Sequence, residues 1–125
     1  MLHFLVVFLG GGLGAGFRHL TGLAALRLLG PNYPWGTLIV NIVGSLAMGI
    51  FIALLGRKIQ ATNELRLLIA TGFLGGFTTF SAFSLDVAVM WERGATSTAF
   101  IYVLASVVLS ITALFAGLWL VRSIS

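Results

Sequence analysis

Four long runs of hydrophobic residues, separated by short polar segments, make up almost the whole chain. The runs cover about residues 3–29, 35–56, 66–90 and 95–122. A helix needs about 20 apolar residues to cross the hydrocarbon core of a bilayer, so each run is long enough to cross it once. The pattern therefore predicts an all-α integral membrane protein with four transmembrane helices, which together form a single domain over residues 1–125.

The third run contains a segment that does not suit a lipid-facing helix. Thr71–Ser84 reads TGFLGGFTTFSAFS, with a glycine pair, a threonine pair and four phenylalanines. Unpaired backbone groups are so costly in hydrocarbon that a broken helix is tolerated there only where protein buries it or a water-filled pathway reaches it. We therefore expect the third helix to be broken in the middle of the membrane, beside a permeation or binding site.

Composition excludes several classes of function. The chain is 59% hydrophobic and 8% charged, whereas about 25% of the residues in a soluble domain are charged. The net charge of +4 does not indicate nucleic-acid binding, because the seven Lys and Arg residues are scattered near helix ends, where they anchor a protein in the membrane. There is no cysteine, and no base, nucleophile and orienting group can be assembled, so an enzyme is not expected.

Glycines at four-residue spacing predict close packing between helices. They occur at positions 10 and 14, 12 and 16, and 72 and 76. The string that starts at Gly10 also fits the dinucleotide-binding fingerprint, but that motif requires a preceding strand and an acid about 20 residues later. The first acidic residue is Glu64, so small-residue packing is the better interpretation.

Two stripes of polar residues run along hydrophobic helices. They are Thr37, Asn41 and Ser45 in the second run and Tyr102, Ser106 and Ser110 in the fourth, each at i, i+4, i+8. Each residue alone is explained by hydrogen bonds within or between helices. The two stripes together, beside a broken third helix, favour the walls of a polar pathway.

Aromatic rings and one arginine are further candidates for this pathway. Phe73, Phe77 and Phe80 follow helical spacing, with Phe83 one turn further on. Such a stripe is usually core packing, but the positive edge of an aromatic ring can also contact an anion weakly enough to release it. Arg18 lies well inside an apolar run, and two interpretations stay open: it extends to the interface, or it draws anions into a vestibule.

The distribution of charge gives the chain almost no preferred orientation. Four spans place both termini on one side, which carries four basic residues against three on the other: Arg57, Lys58, Arg66 and Arg122 against Arg18, Arg27 and Arg93. Either the count of a small protein is noisy, or copies insert in both directions. One protomer of 13.3 kDa is too small to enclose a polar pathway, so we expect a homodimer, with an antiparallel arrangement as the hypothesis.

The chain resembles the Fluc (CrcB) fluoride channels of microorganisms over essentially its whole length. The matching pieces are the glycine-rich first run with Arg18, WGTLIVNIVGS at Trp35–Ser45, TGFLGGFTTFSAFS at Thr71–Ser84, and the polar stripe of the fourth run. The resemblance implies a multi-pass protein of the cell (inner or plasma) membrane. It also implies an antiparallel dual-topology homodimer with two fluoride pores and a central structural sodium ion.

Site residues follow from the same resemblance. It implies backbone carbonyl ligands to sodium from Gly75 and Thr78, with Thr79 nearby, and Arg18 at a vestibule. It also implies a fluoride pore formed by Asn41, Phe80, Phe83, Thr37, Tyr102, Ser106 and Ser110. Asp86 departs from the glutamate expected there, so the role of its carboxylate stays open.

Two other functions are compatible with four short spans. Small multidrug-type exporters also have about four spans and dual topology, but they use an acid in the middle of the first helix, and this first run has none. A structural subunit that packs against a larger membrane protein is the second alternative. Measuring ion flux distinguishes all three.

Overall fold

Four helices long and apolar enough to cross a membrane form the protein, as the hydrophobic pattern predicts. The computed structural model describes residues 1–57 and 62–124, without the Arg57 side chain. The first span is Leu2–Leu29, the second Trp35–Arg57, the third Asn63–Glu92 and the fourth Thr96–Ile124. Lys58 and the rest of residues 58–61, within the predicted polar connection between the second and third spans, lie outside the described residues.

The third span is broken, and its first half (residues 63–77) is not a simple α-helix. It begins with an α-helical turn, Asn63–Arg66, in which the Thr62 hydroxyl accepts a hydrogen bond from the Leu65 N–H at 3.2 Å. It continues as a π-helical segment, Leu67–Leu74, and ends with the turn Gly75–Phe77. After a break at residues 78–80, the second half is the helix Ser81–Glu92.

The break lies at the threonine pair rather than at the glycine pair. Gly75 has helical angles, with φ −63° and ψ −37°, whereas Thr78 is extended, with φ −84° and ψ 159°. The break predicted within Thr71–Ser84, in the middle of the third span, is thus confirmed, and it lies at residues 78–80. Gly76 is needed for another reason, which is its close contact with Gly11 of the first span.

Backbone contacts between glycines join the first span to the first half of the third. A Cβ atom at Gly14 would overlap the Phe73 carbonyl oxygen, and one at Gly76 would lie 2.9 Å from the Gly11 Cα. Gly72 and Gly10 approach each other equally closely. The packing predicted for the pairs 10/14 and 72/76 is confirmed. The pair 12/16 has no such role within the described chain, because a Cβ at either position would meet no atom within 4 Å.

Side chains fill the space between the second span, the fourth span and the second half of the third. The buried cluster there consists of Leu38, Phe83, Met90, Ala99 and Tyr102. The second and fourth spans also approach closely at glycines, since a Cβ at Gly117 would lie 2.8 Å from the Ile50 nitrogen. Most large apolar side chains on the outer faces are exposed, as expected for helices that contact lipid or another protomer.

Candidate functional site

Asn41 pairs with the backbone at the break in the third span. Its side-chain Nδ2 donates to the Thr79 carbonyl at 3.0 Å, and its Oδ1 accepts from the Thr79 N–H at 2.8 Å. The side-chain amide thus satisfies both polar groups of a residue that has left the helix. Asn41 comes to this position because it lies on the face of the second span that packs against the break.

Two threonine hydroxyls cap the ends of the break. The Thr78 hydroxyl donates to the Leu74 carbonyl at 2.9 Å, on the side of the first half. The Thr79 hydroxyl accepts from the Ala82 N–H at 3.1 Å and so caps the start of the second half. Threonine at both positions therefore stabilises a break that would otherwise leave backbone groups unpaired inside a membrane.

Two carbonyl groups at the break lose the donors that an unbroken helix would supply. The carbonyl of residue i normally accepts from the N–H of residue i+4. The Thr79 N–H goes to Asn41 rather than to Gly75, and the Ala82 N–H goes to the Thr79 hydroxyl rather than to Thr78. Within residues 1–57 and 62–124, no hydrogen bond reaches the Gly75 or Thr78 carbonyl.

Arg18 binds the same break from the first span. Its Nε donates to the Gly76 carbonyl at 3.1 Å. The side chain is half-buried and lines a hollow of about 330 Å³ that also contacts Thr37 and Thr79. The Nε bond therefore holds the guanidinium group beside the break, on the wall of this hollow.

A groove beside the break gathers most of the predicted pore residues. It has a volume of about 390 Å³ and lies between the second span, the break and the fourth span. The sequence-predicted residues that line it are Asn41, Phe80, Phe83, Ser106 and Ser110, together with Thr78 and Thr79. Among the described residues, the buried hydroxyl oxygens of Ser106 and Ser110 have no hydrogen-bond partner. The groove therefore contains buried polar atoms that have capacity for a ligand.

The phenylalanine stripe is divided by the break. Phe80 and Phe83 line the groove with ring centroids 5.5 Å apart, and Phe80 is 78% exposed while Phe83 is 8% exposed. Phe73 and Phe77 stack on each other at 6.1 Å, and Phe73 also contacts Phe17 of the first span. Helical spacing placed Phe80 in one stripe with Phe73 and Phe77. The extended backbone at residue 78 separates it from them, so that Phe80 pairs with Phe83 in the groove.

Thr37 and Tyr102 do not line this groove. Tyr102 is fully buried, and its hydroxyl donates to the Asp86 Oδ2 at 2.8 Å. Thr37 and Asp86 line a third hollow, of about 400 Å³, next to the connection between the first and second spans. Thr37 is shared by this hollow and the Arg18 hollow, and Thr79 is shared by the Arg18 hollow and the groove. The hollow lined by Asp86, the Arg18 hollow and the groove are therefore neighbours, each sharing a lining residue with the next.

Sequence reasoning missed the partners of two side chains. It left the role of Asp86 open, although a carboxylate in a span needs a donor and the Tyr102 hydroxyl was available. It also assigned Asn41 to the pore without its bonds to Thr79. In the part of the chain that the structure describes, no group of three His, Cys, Asp or Glu residues could hold a metal ion.

Comparison with known proteins agrees with this architecture. Residues 5–118 match the model of the family described as "CrcB-like protein, Camphor Resistance (CrcB)". Proteins named "Fluoride-specific ion channel FluC" from Mesorhizobium japonicum and Chelativorans sp. are each 65% identical over 124 residues, which is 99% of both chains. One from Agrobacterium fabrum is 52% identical over 124 residues, again 99% of both chains.

These matches cover nearly the whole chain, including all four spans and the break. They confirm the resemblance that the sequence motifs indicated, and they place the protein among multi-pass membrane proteins of an ion-channel family rather than among enzymes. The chain belongs to the CrcB family.

Proposed function

We propose that the protein is a fluoride-selective passive ion channel that exports cytoplasmic fluoride. The observation that carries the proposal is the groove beside the break, whose lining combines two phenylalanine rings with buried hydroxyls that have no partner among the described residues. The name shared by the relatives, fluoride-specific ion channel, supports the same ion.

The groove suits a small, strongly hydrated anion. Fluoride must exchange much of its water shell for hydrogen-bond donors, and the hydroxyls of Ser106 and Ser110 supply two. Asn41 supplies another, because its amide nitrogen carries two hydrogens and only one is used on Thr79. Phe80 and Phe83 add weakly electropositive ring edges. None of the described residues that line the groove is Lys or Arg, so binding there stays weak enough for the ion to leave.

Passive flow is sufficient for export. Fluoride enters from acidic surroundings as neutral HF and dissociates in the more alkaline cytoplasm, where the anion is trapped. A negative-inside membrane potential then drives the anion outward with about 2.3 kcal/mol per charge for every 100 mV. This account requires neither ATP nor a proton-coupled carboxylate.

A structural sodium ion fits the carbonyl groups at the break. The Gly75 and Thr78 carbonyls lack donors within the described chain, and hard cations prefer oxygen ligands, which broken membrane helices often provide. Gly75 is exposed on the protomer, as is Phe80, so a second copy can approach this surface. We propose an antiparallel homodimer in which both breaks supply carbonyls to one sodium ion, with one fluoride pore on each side.

Fluoride efflux from liposomes tests the channel. Purified protein is expected to release fluoride rapidly and to exclude chloride. Replacing Phe80 by Ile removes the ring edge and is expected to lower the flux at least about tenfold, which corresponds to about 1.4 kcal/mol in the barrier. The control Phe100→Ile removes an exposed ring that lies on the fourth span outside the groove, and it should conduct like wild type.

Other outcomes of the same assay point to other functions. Slow, proton-dependent cation transport would indicate a multidrug-type exporter, and the absence of any flux would indicate a structural subunit. Full flux in the Phe80→Ile variant would remove this ring from the mechanism.

Separate measurements test the assembly. A reporter fused to the C-terminus is expected on both sides of the membrane, and a signal on one side alone would exclude dual topology. Prolonged removal of sodium is expected to weaken the dimer and to stop conduction; a dimer that remains intact and conducts would exclude the structural sodium.

A further inference from the structure

We infer that Asn41 is a positioning residue for the cation site as well as a donor in the anion groove. By holding the Thr79 peptide, it prevents the Thr79 N–H from bonding to the Gly75 carbonyl and so leaves that oxygen free for a cation. The inference rests on the proposed sodium site. It adds that one side chain of the second span determines whether that site exists.

The geometry at Thr79 carries the first step. In an unbroken helix the Thr79 N–H would donate to the Gly75 carbonyl, four residues earlier. It donates instead to the Asn41 Oδ1 at 2.8 Å, which is a short bond for an amide. The Gly75 oxygen therefore remains free because Asn41 provides a competing acceptor.

The second bond of Asn41 fixes the direction of the first. Nδ2 donates to the Thr79 carbonyl at 3.0 Å, so the amide satisfies the donor and the acceptor of one residue together. If the amide were flipped, Nδ2 would face the Thr79 N–H, donor against donor, and Oδ1 would face the Thr79 carbonyl, acceptor against acceptor. Only one orientation works, and it places the acceptor opposite the Thr79 N–H.

The Thr78 carbonyl depends on the same residue of the break. The Ala82 N–H, its normal donor, bonds to the Thr79 hydroxyl at 3.1 Å. Asn41 fixes the Thr79 backbone and thereby also the Thr79 hydroxyl, which takes the Ala82 N–H away from the Thr78 carbonyl. Both free carbonyls therefore depend on the position of Thr79.

Arg18 binds a third carbonyl group at the break, that of Gly76. The Gly76 carbonyl accepts from the Arg18 Nε at 3.1 Å, and the Thr79 carbonyl accepts from Asn41. Two carbonyls are thus occupied by side chains from other spans, while Gly75 and Thr78 are not. Substitution of Asn41 is therefore expected to change the affinity for the cation, although the Asn41 atoms are not themselves cation ligands.

Sodium-dependent thermal unfolding of the purified protein tests the inference without measuring conduction. Sodium is varied at constant ionic strength against N-methyl-D-glucamine, and the concentration that gives half of the stabilisation is recorded. In Asn41→Ala, this concentration is expected to rise at least about tenfold, because both neutral hydrogen bonds that hold Thr79 are lost. The control Ser45→Ala, which changes another polar residue of the groove, should keep the wild-type value.

Asn41→Asp separates positioning from conduction, and it decides the question if Asn41→Ala does not fold. A protonated aspartic acid reproduces both bonds, since its carbonyl oxygen accepts from the Thr79 N–H and its hydroxyl donates to the Thr79 carbonyl. At a pH low enough to protonate it, the sodium concentration that gives half of the stabilisation should therefore be no higher than in wild type. In its ionised form the negative charge in the groove should suppress fluoride efflux strongly. The inference is overturned if the protonated Asn41→Asp variant needs more sodium than wild type, or if Asn41→Ala lowers fluoride efflux without needing more sodium.

The wild-type protein distinguishes failure of this inference from failure of the proposed function. Fluoride efflux without any stabilisation by sodium would overturn the role of Asn41 and leave the fluoride channel intact. Stabilisation by sodium without fluoride efflux would overturn the channel, while the Asn41 variants would still test the cation site.

Discussion

The two halves of the third span are held by different kinds of contact. The first half (residues 63–77) lies against the first span at glycines, where backbone meets backbone at Gly10, Gly14 and Gly72. The second half (Ser81–Glu92) is held by side chains, with Phe83 against Tyr102 at a ring-centroid distance of 5.2 Å and Met90 buried nearby.

This difference corresponds to a division of chemical roles at the break. Backbone contacts between glycines leave almost no freedom, and in lipid, where no hydrophobic force drives helices together, such close packing is a main source of stability. The glycine contacts therefore fix the backbone of the first half up to the break, where we propose that the Gly75 carbonyl binds a cation. The second half presents aromatic rings, which pack on one side and line the groove on the other.

Gly14→Ala is expected to have the largest effect, because it attacks the backbone contact directly. The new Cβ would overlap the Phe73 carbonyl oxygen and lie 2.8 Å from the Phe77 nitrogen, and neither backbone atom can move freely. The free energy of unfolding should fall by more than about 3 kcal/mol, beyond the usual cost of overpacking. Size-exclusion profiles and thermal midpoints of the purified variant measure this loss.

The matched control for Gly14→Ala is Gly22→Ala. Gly22 lies on the same helix, and a Cβ there would meet no atom within 4 Å. Its variant should be at least as stable as wild type, since alanine favours helices. Equal midpoints for the two variants would show that the first half does not depend on backbone contact.

Phe83→Ala is expected to have the next largest effect and tests the side-chain packing of the second half. Truncation of a buried phenylalanine typically costs about 3–5 kcal/mol, and Phe83 is 8% exposed. Phe80→Ala provides the comparison, because Phe80 is 78% exposed and should lose much less stability. Both variants should lose fluoride efflux. A loss of stability as large for Phe80 as for Phe83 would contradict the different roles of these rings.

The sequence was sufficient for the four spans, and it located the break only approximately. Hydrophobic length is a local property that each run shows by itself. The composition placed the break within Thr71–Ser84, which contains both a glycine pair and a threonine pair. In the structure Gly76 serves close contact with Gly11, and the chain leaves the helix at Thr78. A sequence does not show whether a glycine is needed for flexibility or for close approach, because that depends on the neighbouring helix.

Five of the seven residues predicted for the pore line the groove, whereas Thr37 and Tyr102 do not, and the bonds within the site were not predicted. Helical spacing and family motifs selected the groove residues Asn41, Phe80 and Ser106. The bonds from Asn41 to Thr79 and from Tyr102 to Asp86 join residues 38 and 16 positions apart, and only the folded chain brings them together. The π-helical segment Leu67–Leu74 also had no signal in the hydrophobic pattern.

Arg18→Gln is expected to have an intermediate effect and examines how the first half ends. It removes the charged donor from the Gly76 carbonyl, and a hydrogen bond to a charged group contributes about 1.5–3 kcal/mol. The thermal midpoint should fall accordingly. His19→Gln is the control, since His19 is exposed and lines the same hollow. An unchanged midpoint in Arg18→Gln would mean that glycine contacts alone position this end.

Ser106→Ala is expected to have the smallest effect on stability and a large one on flux. The Ser106 hydroxyl is buried without a partner among the described residues, so its removal relieves a desolvation cost and should stabilise the protein by up to about 1 kcal/mol. Fluoride efflux should fall, because a donor leaves the groove, whereas the exposed Thr112→Ala on the same helix should conduct normally. If Ser106 bridged helices, its loss would lower stability, and flux would decline with it. Higher stability with lower efflux would identify the hydroxyl as part of the pathway. A decline in both would identify it as a contact between helices.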